Sequence, residues 1–119
     1  MARTWFKVAG VTVFPLRTRQ GSASVLALLQ KEDPWRLDVN WPEGFEGGIA
    51  HRLDIHTSGA IWIADSLDEL KKMRDCFEHR RLLKRYRLLA AKDVSWDHNR
   101  CCQELAHDRR KKSKMIVRR

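Results

Sequence analysis

The chain has 119 residues, of which 43% are hydrophobic and 33% charged, and it carries a formal net charge of +9. This suits one small domain with a packed core and excludes disorder throughout. No run of 18 apolar residues exists that could span a membrane, and the N-terminus lacks the apolar stretch of a secretory signal.

The charge is unevenly spread. Residues 1–70 hold 7 Lys/Arg against 9 Asp/Glu, net −2, while residues 71–119 hold 17 against 6, net +11. A basic half of this kind attracts phosphate backbones and releases their condensed counterions. Nucleic acid is the expected partner, with a merely solvated basic face as the rival reading. Cys76, Cys101 and Cys102 are odd in number and two are adjacent, which is no disulfide framework. A reducing, intracellular compartment is expected, cytoplasmic or organellar. His98, Cys101, Cys102 and His107 lack the spacing of a metal site, so no metal is expected.

Residues 5–14 alternate weakly and are rich in Val and aromatics, which predicts a strand. Residues 17–21 read as a polar loop. Ser22 or Ser24 caps a short helix carrying Val25, Leu26, Leu28 and Leu29, and Asp33-Pro34 ends it. Residues 35–48 contain Pro42 and three glycines and read as an irregular connection facing RNA. Residues 60–64 are short, apolar and β-prone and predict a buried strand that includes Trp62. Ser66-Leu67-Asp68-Glu69 has the form of a capping box. The helix after it places Leu67, Leu70, Met73 and Phe77 on one stripe and ends at Arg80-Arg81. Residues 82–91 alternate imperfectly and predict a strand. Residues 95–107 are ambiguous, residues 109–114 are a basic run, and residues 115–117 begin a final strand. The succession of strands and helices predicts one mixed α and β (α+β) domain.

The stretch His51-Arg52-Leu53-Asp54-Ile55-His56-Thr57-Ser58-Gly59 concentrates chemistry. Asp54 has two readings: a turn cap bonding nearby amides, or a carboxylate nucleophile held by a cation. Arg52 is two residues away and shares its face if the strand continues. Tyr86 is the chain's one tyrosine, and Lys84 lies two residues before it. Lys84-Arg85-Tyr86 offers charge for phosphate and a ring face for a displaced base.

The stretch from His51 to Gly59 resembles the signature around the catalytic Asp of the RluA-type RNA pseudouridine synthases. Residues 60–64, the helix over 68–80, Lys84-Arg85-Tyr86 and the basic stretch of residues 106–115 ending in Lys114-Met115 also resemble that family. The resemblance covers about residues 11–117. It implies a mixed, mostly antiparallel sheet with flanking helices, and isomerisation of uridine in rRNA or tRNA without a cofactor. It implies Asp54 as nucleophile, Arg52 beside the flipped uridine and Tyr86 against the base. His51, Thr57, Lys84, Arg85, Arg109, Arg110, Lys111, Lys112 and Lys114 would contact RNA.

Three features depart from the family pattern. A later Arg-containing motif, whose Arg pairs with the catalytic Asp, is not found by Arg119. Phe14-Pro15-Leu16 stands where a Lys-Pro segment is usual, and Ile55-His56 replaces the common Lys-Asp. The family domain is therefore expected to be incomplete here, with another protein chain completing the sheet. The alternative is a non-catalytic RNA-binding or structural subunit of a ribonucleoprotein.

Overall fold

The computed structural model describes residues 2–16, 23–95 and 99–118. The chain divides into two compact units, residues 1–84 and 85–119. The loop predicted over residues 17–21, together with Ser22, Trp96 and His98, lies outside the described residues.

The short apolar run before the capping box forms strand β2 (Gly59–Ile63), which pairs antiparallel with β1 (Arg3–Lys7), from Arg3↔Ile63 to Lys7↔Gly59. Its other edge holds the segment that leads into the motif. The Ala50 amide donates to the Trp62 carbonyl at 3.0 Å, and the Ala64 amide to the Gly48 carbonyl at 2.8 Å. The second edge is bonded only at this end of β2, around the isolated Ile49↔Ile63 bridge, and the alternation of β2 sends Ile61 and Ile63 to one side and Trp62 to the other. Ile61 and Ile63 pack with Val13, Ile49 and Leu53 and with Val25, Leu26 and Leu29 of helix α1 (Val25–Glu32). Ala64, with Trp62 beside it, packs with Ala50 and with Leu70 and Met73 of helix α2 (Leu67–Glu78).

Local chemistry sets the helix ends. The Ser24 hydroxyl accepts from the Ala27 amide at 3.1 Å, which makes Ser24 the cap of α1. The Ser66 hydroxyl accepts from the Glu69 amide at 3.2 Å, while the Glu69 carboxylate reaches back to the Asp65 amide at 2.9 Å. The capping box read from the sequence is thus formed, with its return bond one residue further out. At the other end Arg80 adopts a left-handed φ of 52°, and the Arg81 amide donates to the Cys76 carbonyl at 2.9 Å. This closes the last turn in the manner of a Schellman motif.

Three expectations are corrected. The first strand stops at Lys7, because Gly10 takes a φ of 90° and the chain turns. Residues 35–48 are a packed connection. Two short 3-10 turns, Pro34–Leu37 and Glu46–Gly48, are tied down by Arg36, which is 1% exposed. Its guanidinium donates to the Gly47 carbonyl at 2.8 Å, the Ala64 carbonyl, and the carboxylates of Asp33 and Asp65. Trp41 completes the connection by donating from Nε1 to the Arg36 carbonyl at 2.9 Å. Residues 82–91 form no strand. No ladder bond reaches them among the described residues, and Leu83, Leu88 and Leu89 are largely exposed.

The second unit holds a hairpin of β3 (Leu105–His107) and β4 (Met115–Val117), with Ala106 opposite Ile116. The basic run is its loop. The Asp108 amide donates to the Lys114 carbonyl at 2.8 Å, and the Arg110 amide to the Asp108 carboxylate at 2.8 Å. Helices and small antiparallel sheets together make the mixed α+β fold expected from the sequence.

Candidate functional site

Asp54 is carried on a loop anchored at the residues either side of it. Leu53 is 9% exposed and packs in the core against Ile61 and Ile63. The Ile55 carbonyl accepts from the Gly10 amide at 2.7 Å and from Lys7 Nζ at 3.0 Å. Asp54 between them is exposed, and its carbonyl closes a turn by accepting from the Thr57 amide at 3.0 Å. Thr57 is half-buried. Burial of one neighbour and backbone capture of the other hold the stretch of backbone that carries the carboxylate.

Lys7 is the residue the sequence reading missed. It is 1% exposed, and its ammonium donates to the carbonyls of Val8 (3.0 Å), Val11 (2.7 Å) and Ile55. Three donors meet three acceptors, so the buried charge is fully hydrogen-bonded. The available signal was alternation. Arg3, Trp5 and Lys7 share one side of β1, and the Trp5 side faces the core.

Arg52 is exposed, and no ion pair joins it to Asp54. The segment before Asp54 leaves the ladder after Ala50, so the shared strand face expected for the two does not form. Among the described residues no cation pairs with the Asp54 carboxylate.

His51 is half-buried against Phe77, with ring centroids 5.1 Å apart. Its Nε2 accepts from the Trp62 amide at 3.0 Å, supplying the acceptor that a continuing strand would have provided. That role requires a neutral ring. Burial lowers the His51 pKa from its ordinary 6.5, and the Lys84 charge lowers it further, partly offset by the Arg52 backbone.

His51 and Arg52 line a groove of about 500 Å³ beside α2, mostly apolar, together with Phe45, Arg74, Phe77 and Lys84. The Arg74 guanidinium lies 4.4 Å over the Phe45 ring, and Lys84 Nζ 4.9 Å over Phe77. Arg85 and Tyr86 belong to the second unit, where both are exposed, Tyr86 at 65%. Arg109, Arg110, Lys111, Lys112 and Lys114 form the hairpin loop of that unit, all exposed. The structure thus brings His51, Arg52, Asp54, Thr57 and Lys84 into one unit and collects the basic run on another.

No curated protein and no solved structure matches the chain. A family model described as RNA pseudouridylate synthase matches residues 7–117. That span starts at the buried Lys7, takes in the anchored Asp54 loop, and runs through the basic hairpin to the end of β4. The protein belongs to the RNA pseudouridylate synthase family, as its RluA-type signature implied.

Proposed function

We propose that this chain isomerises uridine in rRNA or tRNA to pseudouridine, in a reducing intracellular compartment, with Asp54 as the nucleophile. The observation that carries the proposal is the presentation of Asp54, an exposed carboxylate between a core-buried Leu53 and a captured Ile55 carbonyl. The target uridine leaves its stack to reach such a group. The C1′–N1 bond breaks with carboxylate assistance, the uracil turns, and a C1′–C5 bond forms. A proton leaves C5 and N1 gains one. Atoms balance and nothing is oxidised, so no cofactor enters. Arg52 contacts the RNA at the vacated position, Tyr86 packs on the base, and His51, Thr57, Lys84, Arg85 and the basic hairpin hold the strand. A further chain completes the sheet and brings a cation to Asp54.

The test is tritium release from RNA labelled at uridine C5, with reverse-transcription mapping of the product. Wild type should release tritium and Asp54→Asn should not, while their thermal unfolding midpoints agree. Release by both proteins would remove Asp54 from the chemistry. The absence of a cation paired with Asp54 among the described residues favours a second reading, a non-catalytic RNA-binding subunit. That reading requires RNA binding with no release by wild type.

A further inference from the structure

The groove beside α2 adds Phe45, Arg74 and Phe77 to the residues assigned to the RNA above. Three cations line it, Arg52, Arg74 and Lys84, and Glu78 is the sole carboxylate in the lining. None of the three cations forms an ion pair among the described residues. Elsewhere in this unit the buried guanidinium is neutralised locally, with Arg36 on Asp33 and Asp65. Uncompensated positive charge over an aromatic lining calls for a ligand that is both anionic and flat.

Two pairs set the geometry. The Arg74 guanidinium centre lies 4.4 Å over the Phe45 ring centroid and the residue is exposed, so the guanidinium is accessible to a second flat group. Lys84 sits on Phe77 at 4.9 Å and supplies a point charge beside it. Stacking on a guanidinium plane and charge for a phosphate are what an unstacked nucleotide requires.

We propose that this groove binds one unstacked nucleotide of single-stranded RNA, a neighbour of the target uridine, with Arg74 stacking on its base and Lys84 on its phosphate. The inference rests on the RNA-modifying reading of the chain and adds a second nucleotide site to it. Arg52 precedes Asp54 by two residues, at most about 7 Å of extended chain. A nucleotide in the groove is therefore a near neighbour of one at Asp54.

Arg74→Lys is the discriminating variant, because it keeps the charge and removes the plane while Lys holds the helix as well as Arg. Fluorescence anisotropy on the full chain compares an eight-nucleotide uridine oligomer with the same oligomer carrying abasic sites. Arg74→Lys should weaken binding of the uridine oligomer about tenfold and leave abasic binding unchanged. Lys84→Gln should weaken both and reduce the salt slope by about 0.7. Equal effects of Arg74→Lys on both oligomers, or no effect on either, overturn the proposal. So does a polyglutamate peptide that binds as tightly as the uridine oligomer, because the groove would then be a protein-docking surface. The parent reading fails separately, through tritium release by Asp54→Asn, and that result leaves the groove's preference for bases over abasic sites to be read on its own.

Discussion

At the residue scale, one buried cation, Lys7, decides how the Asp54 loop is held. Lys7 is enclosed because each of its three protons finds a carbonyl, one of them on Ile55 next to Asp54. Lys7→Met removes the charge and leaves the Val8 and Val11 carbonyls without that donor. The expected cost is about 3 kcal/mol, read from urea unfolding, since buried acceptors left unpaired lose about 1–3 kcal/mol each. Tritium release should fall beyond what the unfolded fraction explains, because the Ile55 anchor loosens. His51 gives a pH prediction. Its folded pKa lies below the ordinary 6.5, so the stability it contributes is present above that value and is lost as pH falls through the folded pKa. Protonation also ends the acceptor role of Nε2 toward the Trp62 amide and places a second cation beside Lys84. The unfolding midpoint should drop on acidification below about pH 6.5, and His51→Gln should flatten that dependence. An unchanged slope in the variant would assign the acid sensitivity to other groups, such as Asp33. Its carboxyl is held below the usual range by hydrogen bonds from Arg3 and Arg36, which places its loss at more acidic pH.

At the element scale, β2 and α2 form the frame against which the site is built. β2 pairs with β1 along its length and with residues 48–50 at its C-terminal end, and it packs Ile61 and Ile63 toward α1 and Trp62 toward α2. Close approach at one edge depends on Gly48. Its φ is 82°, and a Cβ there would collide with the Ala64 carbonyl oxygen. Gly48→Ala should cost about 3 kcal/mol, through strain and the loss of the Ala64–Gly48 bond. The check is the denaturation midpoint at unchanged m-value. Ser66→Ala removes the cap of α2 and should cost about 1 kcal/mol. The loss should be larger than for Leu67→Ala, because Leu67 is exposed at the first turn. Residues 82–91 show the converse case. Their alternation suits a strand, but a strand is stable only with a neighbour to complete its hydrogen bonds.

At the scale of the whole molecule, charge is the property that spans both units. The net +11 of residues 71–119 includes the hairpin loop, whose cations are exposed. RNA affinity should therefore fall steeply with salt, with a log–log slope reduced by about 0.7 for each phosphate contact removed. Replacing Arg109 and Arg110 with Gln should lower the slope by about 1.4 while leaving the unfolding midpoint within about 0.5 kcal/mol of wild type. Sequence-independent loss of this kind is separable from the base-dependent loss expected at Arg74.

The signature around Asp54, the capping box at Ser66, the cap at Ser24 and the apolar run of β2 were legible in the chain, because each is a local rule between residues a few positions apart. The basic character of the C-terminal half was legible from residue counts alone. What only the tertiary structure decided are the contacts between distant segments. Lys7 meets Ile55, 48 positions away, and Arg36 meets Ala64, 28 positions away. Their side chains are charged, and alternation, which puts Lys7 on the core side of β1, does not show what would satisfy the charge there. A charge is buried only where the fold collects enough carbonyls or carboxylates to replace its water, and that count exists only once the chain has closed on itself.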